Sequence, residues 1–364
     1  MSAISNSLEK LLDFWQLGQE ESQPVLAKKI LYSALEIIKR NSIEEISPKI
    51  LRRYLNETSY PAFLKNLTYP EENWKWAGTC FSFVQKLEYK LIDLFQDRVK
   101  RYPGKNLFLD LTENPLRGWT YEEVDQYLKL LAGSFYLATR PDPPRVAIFS
   151  DNHLDTACCD LACLLYDILV SPLNPNFNLE NLEYIFSQLQ FNLVITDSPQ
   201  RVRLLENLKE KMGWKFEILT ISRAENLETQ STLLGEMVRR VDLNQAEAVL
   251  RQRRKRPLTE VATVMFTSGS TGKPKGVSFS EYHLVSKRFA RAAALPQVGE
   301  DEVLLSFLPL CHTFGRYFEL LGMIFWRGTY VFSGNPSVET LLNLFPHHQS
   351  NWAGQCARAL AADL

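Results

Sequence analysis

The sequence has almost no net charge. Its 41 Lys and Arg residues stand against 42 Asp and Glu, for a formal −1 at pH 7. No global field then draws the chain to nucleic acid or to an anionic membrane. A long apolar run is also missing. The most apolar window, Ala157–Leu173, is broken by Asp160 and Asp167 and is too short to span a bilayer. The first residues carry no secretory leader, so a reducing cytoplasmic compartment is expected. Cysteine is sparse: Cys80, Cys158, Cys159, Cys163, Cys311 and Cys356 show no metal-like spacing. Cys158, Cys159 and Cys163 fall in one apolar, helix-like run, where they read as core thiols. The sequons at Asn56 and Asn66 then have no use. No internal repeat is evident. What remains is 45% hydrophobic and 23% charged over 364 residues, a globular chain with room for two or three domains.

One stretch organises the rest: Thr263-Val-Met-Phe-Thr-Ser-Gly-Ser-Thr-Gly-Lys-Pro-Lys-Gly-Val277. Val261, Val264 and Phe266 before it read as a buried strand. Val277 and Phe279, alternating with Ser278 and Ser280, read as a second strand. The loop between them concentrates glycine, hydroxyl and lysine. Glycine allows positive φ and close backbone approach. Thr267, Ser268, Ser270 and Thr271 offer hydroxyls, and Lys273 and Lys275 offer charge. Amide, hydroxyl and ammonium groups in such a loop can wrap a polyphosphate. It is not a P-loop, because Lys273 is followed by Pro274 rather than Ser or Thr, and no helix starts there to supply a dipole. A plain Gly/Ser linker is the competing reading. The fixed places of Pro274 and Lys275, with a strand on each side, argue against it.

From Thr267 to Gly276 the stretch resembles the signature loop of the adenylate-forming superfamily, which includes acyl-CoA synthetases, peptide-synthetase adenylation domains and luciferases. Two further elements support the resemblance. Trp119-Thr120-Tyr121-x-Glu123 resembles the family's early Thr-Tyr-x-Glu element. Leu308-Pro-Leu-Cys-His-Thr-Phe-Gly-Arg-Tyr-Phe-Glu319 resembles the Pro-Leu-x-His segment near the acyl pocket. His312 alone reads as a backbone-bonded histidine at a helix start. Pro309 and the distance from the loop favour a place near the reacting carboxylate. The His-x-Phe-x-Arg spacing ending in Arg316 resembles long-chain fatty-acid CoA ligases more than amino-acid adenylation domains.

The rest of the chain is read around these elements. Residues 1–88 look like a helical extension outside the resemblance: Leu8, Leu11, Leu12 and Trp15 make one apolar stripe. Pro24 opens a helix carrying Ile30, Leu31, Ala34, Leu35 and Ile38. Ser42-x-x-Glu45 reads as a capping box, and Ser47-Pro48 restarts a helix. The extension either packs on the body or binds a partner, and packing is the simpler use of such stripes. Residues 89–348 read as the N-terminal domain of the family. Arg145–Ser150, Asn192–Asp197 and Phe216–Thr220 read as strands, and Val170–Pro175 resembles the family's strand and turn before the next helix. Leu161–Leu169 and Leu182–Leu189 read as helices between them. The alternation predicts an α/β fold of mainly parallel, helix-covered sheets. The basic run Arg251–Arg256 reads as a solvated helix end rather than a nucleic-acid patch.

The resemblance implies that a carboxylic acid, a fatty acid by the His312 segment, is joined to AMP from ATP. Pyrophosphate leaves, and the acyl group passes to the thiol of coenzyme A. It implies a phosphate cradle of Thr267, Ser268, Gly269, Ser270, Thr271, Gly272, Lys273 and Lys275, Thr267 beside Mg²⁺, and His312 beside the acid. Partners are then small molecules, with peripheral contact to a membrane compatible and no oligomeric state encoded. The sequence holds no Tyr-Gly-x-Thr-Glu and no Thr-Gly-Asp element, so the alternative is a truncated, catalytically silent fragment or pseudoenzyme that acts by binding only, through its helical extension. The tail 349–364 also departs from the family pattern. One legal codon choice for Gln349–Leu364, read one base later, gives Asn-Pro-Thr-Gly-Leu-Val-Ser-Val-Pro, which resembles the family continuation. A shifted reading frame near residues 346–350 is therefore expected, and the gene's nucleotides decide it.

Overall fold

The structure, a computed structural model, describes residues 3–17, 23–40, 43–67, 69–112, 117–221, 231–267 and 273–334. The tail 349–364, Ser42 of the expected capping box and loop residues Ser268–Gly272 lie outside them.

The chain starts with helices α1 (Ala3–Leu17), α2 (Pro24–Lys39), α3 (Pro48–Thr58), α4 (Pro61–Leu64) and α5 (Pro70–Leu87). Proline opens each of α2 to α5, where its missing N–H costs nothing and its φ is already helical. Ser47 caps α3 through its hydroxyl, which accepts the Lys49 N–H at 3.3 Å. Leu8, Leu12 and Trp15 are buried as the stripe predicts. Then follow α6 (Leu91–Arg101), β1 (Asn106–Asp110), β2 (Arg117–Thr120) and α7 (Tyr121–Ala138). The Thr120-Tyr-x-Glu123 element is a capping box: the Thr120 hydroxyl accepts the Glu123 N–H at 3.2 Å, and the Glu123 carboxylate accepts the Thr120 N–H at 2.8 Å.

Strands and helices then alternate: β3 (Arg145–Phe149), α8 (Leu154–Leu165), β4 (Leu169–Leu173), α9 (Leu179–Leu189), β5 (Leu193–Thr196), α10 (Pro199–Met212), β6 (Glu217–Thr220), β7 (Thr232–Leu233), α11 (Leu234–Arg239) and α12 (Leu243–Gln252). The chain continues through β8 (Val261–Thr267), β9 (Lys275–Ser280), α13 (Glu281–Ala294), β10 (Val303–Ser306), a π-helix (Phe314–Leu320), α14 (Leu321–Trp326) and β11 (Thr329–Phe332). Among the described residues one sheet has the order β7-β6-β5-β3-β4-β8-β9, parallel except for β9. The other has the order β10-β11-β1-β2, parallel except for β2.

Both faces of the larger sheet are covered, which is why its strands read as unbroken apolar runs. Along β3, Val146 and Ile148 face one core, which is shared with α7 and α8. Ala147 and Phe149 face another, filled by α9 and α10. The first core also takes in α1 to α5, so the early helices and the sheets are packed as one body. Trp76 of α5 lies 5.8 Å from Phe289 of α13. Buried Arg98 and Arg327 both donate to the Ser59 hydroxyl, at 3.1 and 2.9 Å.

Two expectations need correction. The helix read over Leu161–Leu169 runs from Leu154 to Leu165 instead, and Leu169 already belongs to β4. Asp167 makes the break, with φ 63 between helix and strand. The basic run is only partly solvated. Arg254 is exposed and pairs with Glu260, but Arg253 reaches Asp167 at 2.9 Å. Arg256 is 2% exposed and pairs with buried Glu281 at 3.2 Å. Partners distant in sequence turn the end of the run inward.

Candidate functional site

In the larger sheet the connections from β3 to β4 and from β4 to β5 leave in opposite directions. A crevice therefore opens at the carboxyl ends of the strands, where open α/β sheets bind ligands. A cavity of about 600 Å³ lies there. Its walls come from the first residues past several strands: Ser150 to His153 after β3, Asn174 after β4, Asp197 after β5, and Phe307 after β10. Cys311 and His312 close another side.

β8 runs parallel to β4, with Val170 opposite Thr263, so Thr267 emerges at the same end. Thr267 pairs with Lys275 across the hairpin, and its hydroxyl lies 3.5 Å from the Lys275 carbonyl. Both are exposed, as is Lys273, while Pro274 is buried. Lys273 Nζ stands 5.5 Å over the Tyr184 ring of α9, a cation–π contact that holds the ammonium at the loop's mouth. The cradle is thus described at its two ends, Thr267 and Lys273–Lys275. Ser268, Gly269, Ser270, Thr271 and Gly272 lie outside the described residues.

His312 is exposed at the rim of the cavity, and its backbone N–H donates to the Pro309 carbonyl at 3.0 Å. Arg316, in the same motif, points away from the cavity. It is fully buried and forks onto Asp160 of α8 at 2.7 and 2.5 Å, with a further bond to the Thr263 hydroxyl at 2.7 Å. Burial pushes its guanidinium down, but Asp160 outweighs that and holds it above its ordinary value. The Arg of the motif therefore ties the His312 segment to α8 and β8. Glu319, three residues on, is also buried, and burial pushes its carboxyl up to about 8 against the pull of a hydrogen bond from the Leu308 backbone. Burial likewise raises the Cys311 thiol to about 11.

A family profile described as AMP-binding enzyme matches residues 95–357, more than half of the chain. The chain belongs to the AMP-binding enzyme family. Long-chain-fatty-acid–CoA ligase 5 of Rattus norvegicus is 28% identical to this AMP-binding chain over 227 residues, 59% of the chain and 32% of that protein. Long-chain-fatty-acid–CoA ligase 6 of Homo sapiens is 30% identical over 183 residues, 47% of the chain and 26% of that protein. Among solved structures, ATP-bound MatB from Rhodopseudomonas palustris superposes with a TM-score of 0.58 at 20% identity, over 72% of this chain and 48% of MatB. The anthranilate CoA ligase AuaEII in complex with anthranoyl-AMP gives 0.59 at 14%, over 70% and 46%. These structures share the fold of the adenylate-forming enzymes. The matched region spans about a third of the length of the curated relatives.

Sequence reading missed the polar residues lining the cavity: Asn152, Asn174 and Asp197. Their signal was present, since each stands just past the carboxyl end of a legible core strand. Among the described residues no cluster of three or more His, Cys, Asp or Glu is placed to hold a metal, and no helix is long and apolar enough to cross a membrane. Thr267 offers one exposed hydroxyl oxygen at the mouth of the loop.

Proposed function

We propose that this chain binds ATP and a fatty acid and activates the acid as its acyl-adenylate, for transfer to coenzyme A. A carboxylate oxygen attacks the α-phosphorus, the bond to the bridging oxygen breaks, and pyrophosphate leaves. The second step would form a thioester and release AMP. The observation that carries the reading is a convergence: the Thr267–Lys275 hairpin and the His312 cavity both open at the carboxyl ends of the parallel strands. The hairpin supplies hydroxyls and ammonium groups for the β- and γ-phosphates. Lys273 leaves its aromatic rest on Tyr184 to meet the charge on the leaving pyrophosphate. His312 at the cavity rim meets the acid. The names of the relatives support a long-chain fatty acid as the substrate class, and free, buried thiols suit a reducing cytoplasm.

The test is ATP–pyrophosphate exchange driven by saturated fatty acids. Lys273→Ala should lower exchange by about 10²–10³-fold, the loss seen when one charge-stabilising donor is removed. The second reading is a catalytically silent chain that binds ATP without turnover. ATP binding with no exchange at high protein concentration would select it. No ATP binding at all would sink both.

A further inference from the structure

The turn Leu308–His312 follows β10 of the smaller sheet, yet much of what holds it comes from elsewhere. Asn152, just past β3 of the larger sheet, spans the junction. Its Nδ2 donates to the Leu308 carbonyl at 2.7 Å, and its Oδ1 accepts the Leu310 N–H at 2.8 Å. One planar amide making two opposed bonds fixes the orientation of the turn as well as its distance. From the π-helix side, the buried Glu319 carboxyl lies against the Leu308 backbone, which draws it down against the upward push of burial. The Leu308 carbonyl is thus taken by a side chain of another segment. Gly315 lets the π-helix come this close: a Cβ there would stand 2.5 Å from the Pro309 carbonyl oxygen and 2.7 Å from that of Leu308.

We propose that Asn152 and Glu319 are positioning residues, which lock the Leu308–His312 turn across the two sheets and so set where His312 and Cys311 stand in the cavity. Glu319 acts wholly through the turn. Asn152 lends the cavity part of its wall but spends both ends of its amide on the turn. The role in catalysis rests on the function proposed above; the lock itself does not.

Cys311 is a built-in reporter. It is half-buried at the cavity, whereas Cys80, Cys158, Cys159 and Cys163 are fully buried. The full chain is treated with iodoacetamide without ligands, and alkylation is followed peptide by peptide by mass spectrometry. Asn152→Ala should label Cys311 about tenfold faster, the opening expected when a net hydrogen bond is lost, with the four buried thiols unchanged. Glu319→Leu should do the same. Glu319→Gln keeps an acceptor for Leu308 and should stay within about twofold of the unsubstituted chain. Because the conservative change restores what the apolar one removes, a general loosening is told apart from a lost lock. The idea is overturned if Asn152→Ala and Glu319→Leu label Cys311 at the original rate, or if Cys80, Cys158, Cys159 and Cys163 speed up together with it. Should one of these variants fail to fold, the other decides. A separate arm adds ATP and a fatty acid to the unsubstituted chain. Failure of these ligands to slow Cys311 labelling counts against the proposed function alone, since the variant ratios are measured without them.

Discussion

The buried ionisable groups behind the cavity work in opposite ways. Arg316 and Asp160 neutralise one another, and removing either leaves a bare charge in the interior. Asp160→Asn should therefore destabilise the fold by about 3–5 kcal/mol, read as a drop in Tm or in the denaturant midpoint. A change near zero would mean that water reaches Arg316. Glu319 carries a burial penalty that depends on pH. Its folded value is pushed up to about 8, far above the ordinary carboxylate range. Between that range and pH 8 the folded state holds a proton that the unfolded state has lost, so stability falls as pH rises through this window. The contribution is whole below the ordinary range and gone above about pH 8. Glu319→Gln should accordingly stabilise the chain progressively more from pH 5 to 8 and by a constant amount beyond. A stability difference that stays flat across those pH values would remove the buried carboxyl from the account.

At the scale of elements, the strands were legible because burial on both faces leaves a plain apolar run, as in Val146–Phe149 and Leu193–Thr196. The Thr120–Glu123 helix start was legible because a capping box is local chemistry. The end of α8 was not. Apolar residues continue from the helix into β4, and only the left-handed turn at Asp167 separates them. Nor was the inward turn of Arg256, whose partner Glu281 lies on α13. The motif around His312 was visible as a resemblance, but its geometry was not: nothing in the spacing tells Arg316, facing Asp160, from a ligand contact. The π-helix has a weak point of its own. Gly315→Ala would drive a methyl into two carbonyl oxygens. It should cost about 1–3 kcal/mol as overpacking does and should raise Cys311 labelling. Unchanged stability and labelling would show that the segment has room to spare.

For the whole molecule, residues 1–88 and the sheets share one apolar core, and the seam is sealed by Trp76, Ser59 and two buried arginines. Such a seam predicts one cooperative transition rather than an extension that melts first. Trp76→Ala should lower stability by about 3–5 kcal/mol while far-UV and tryptophan signals still move together. Separate transitions would mark the early helices as an independent unit.

The π-helix Phe314–Leu320 acts as a shim one residue thick. An α-helix turns by about 100° per residue, while a π turn accommodates one residue more. If a single residue such as Phe318 were deleted, the segment would close up into an ordinary helix. Arg316 and Glu319 would then no longer face Asp160 and Leu308 together. The aim of the cavity-side turn is therefore written in the length of the chain there, and a deletion would disturb it more than most replacements.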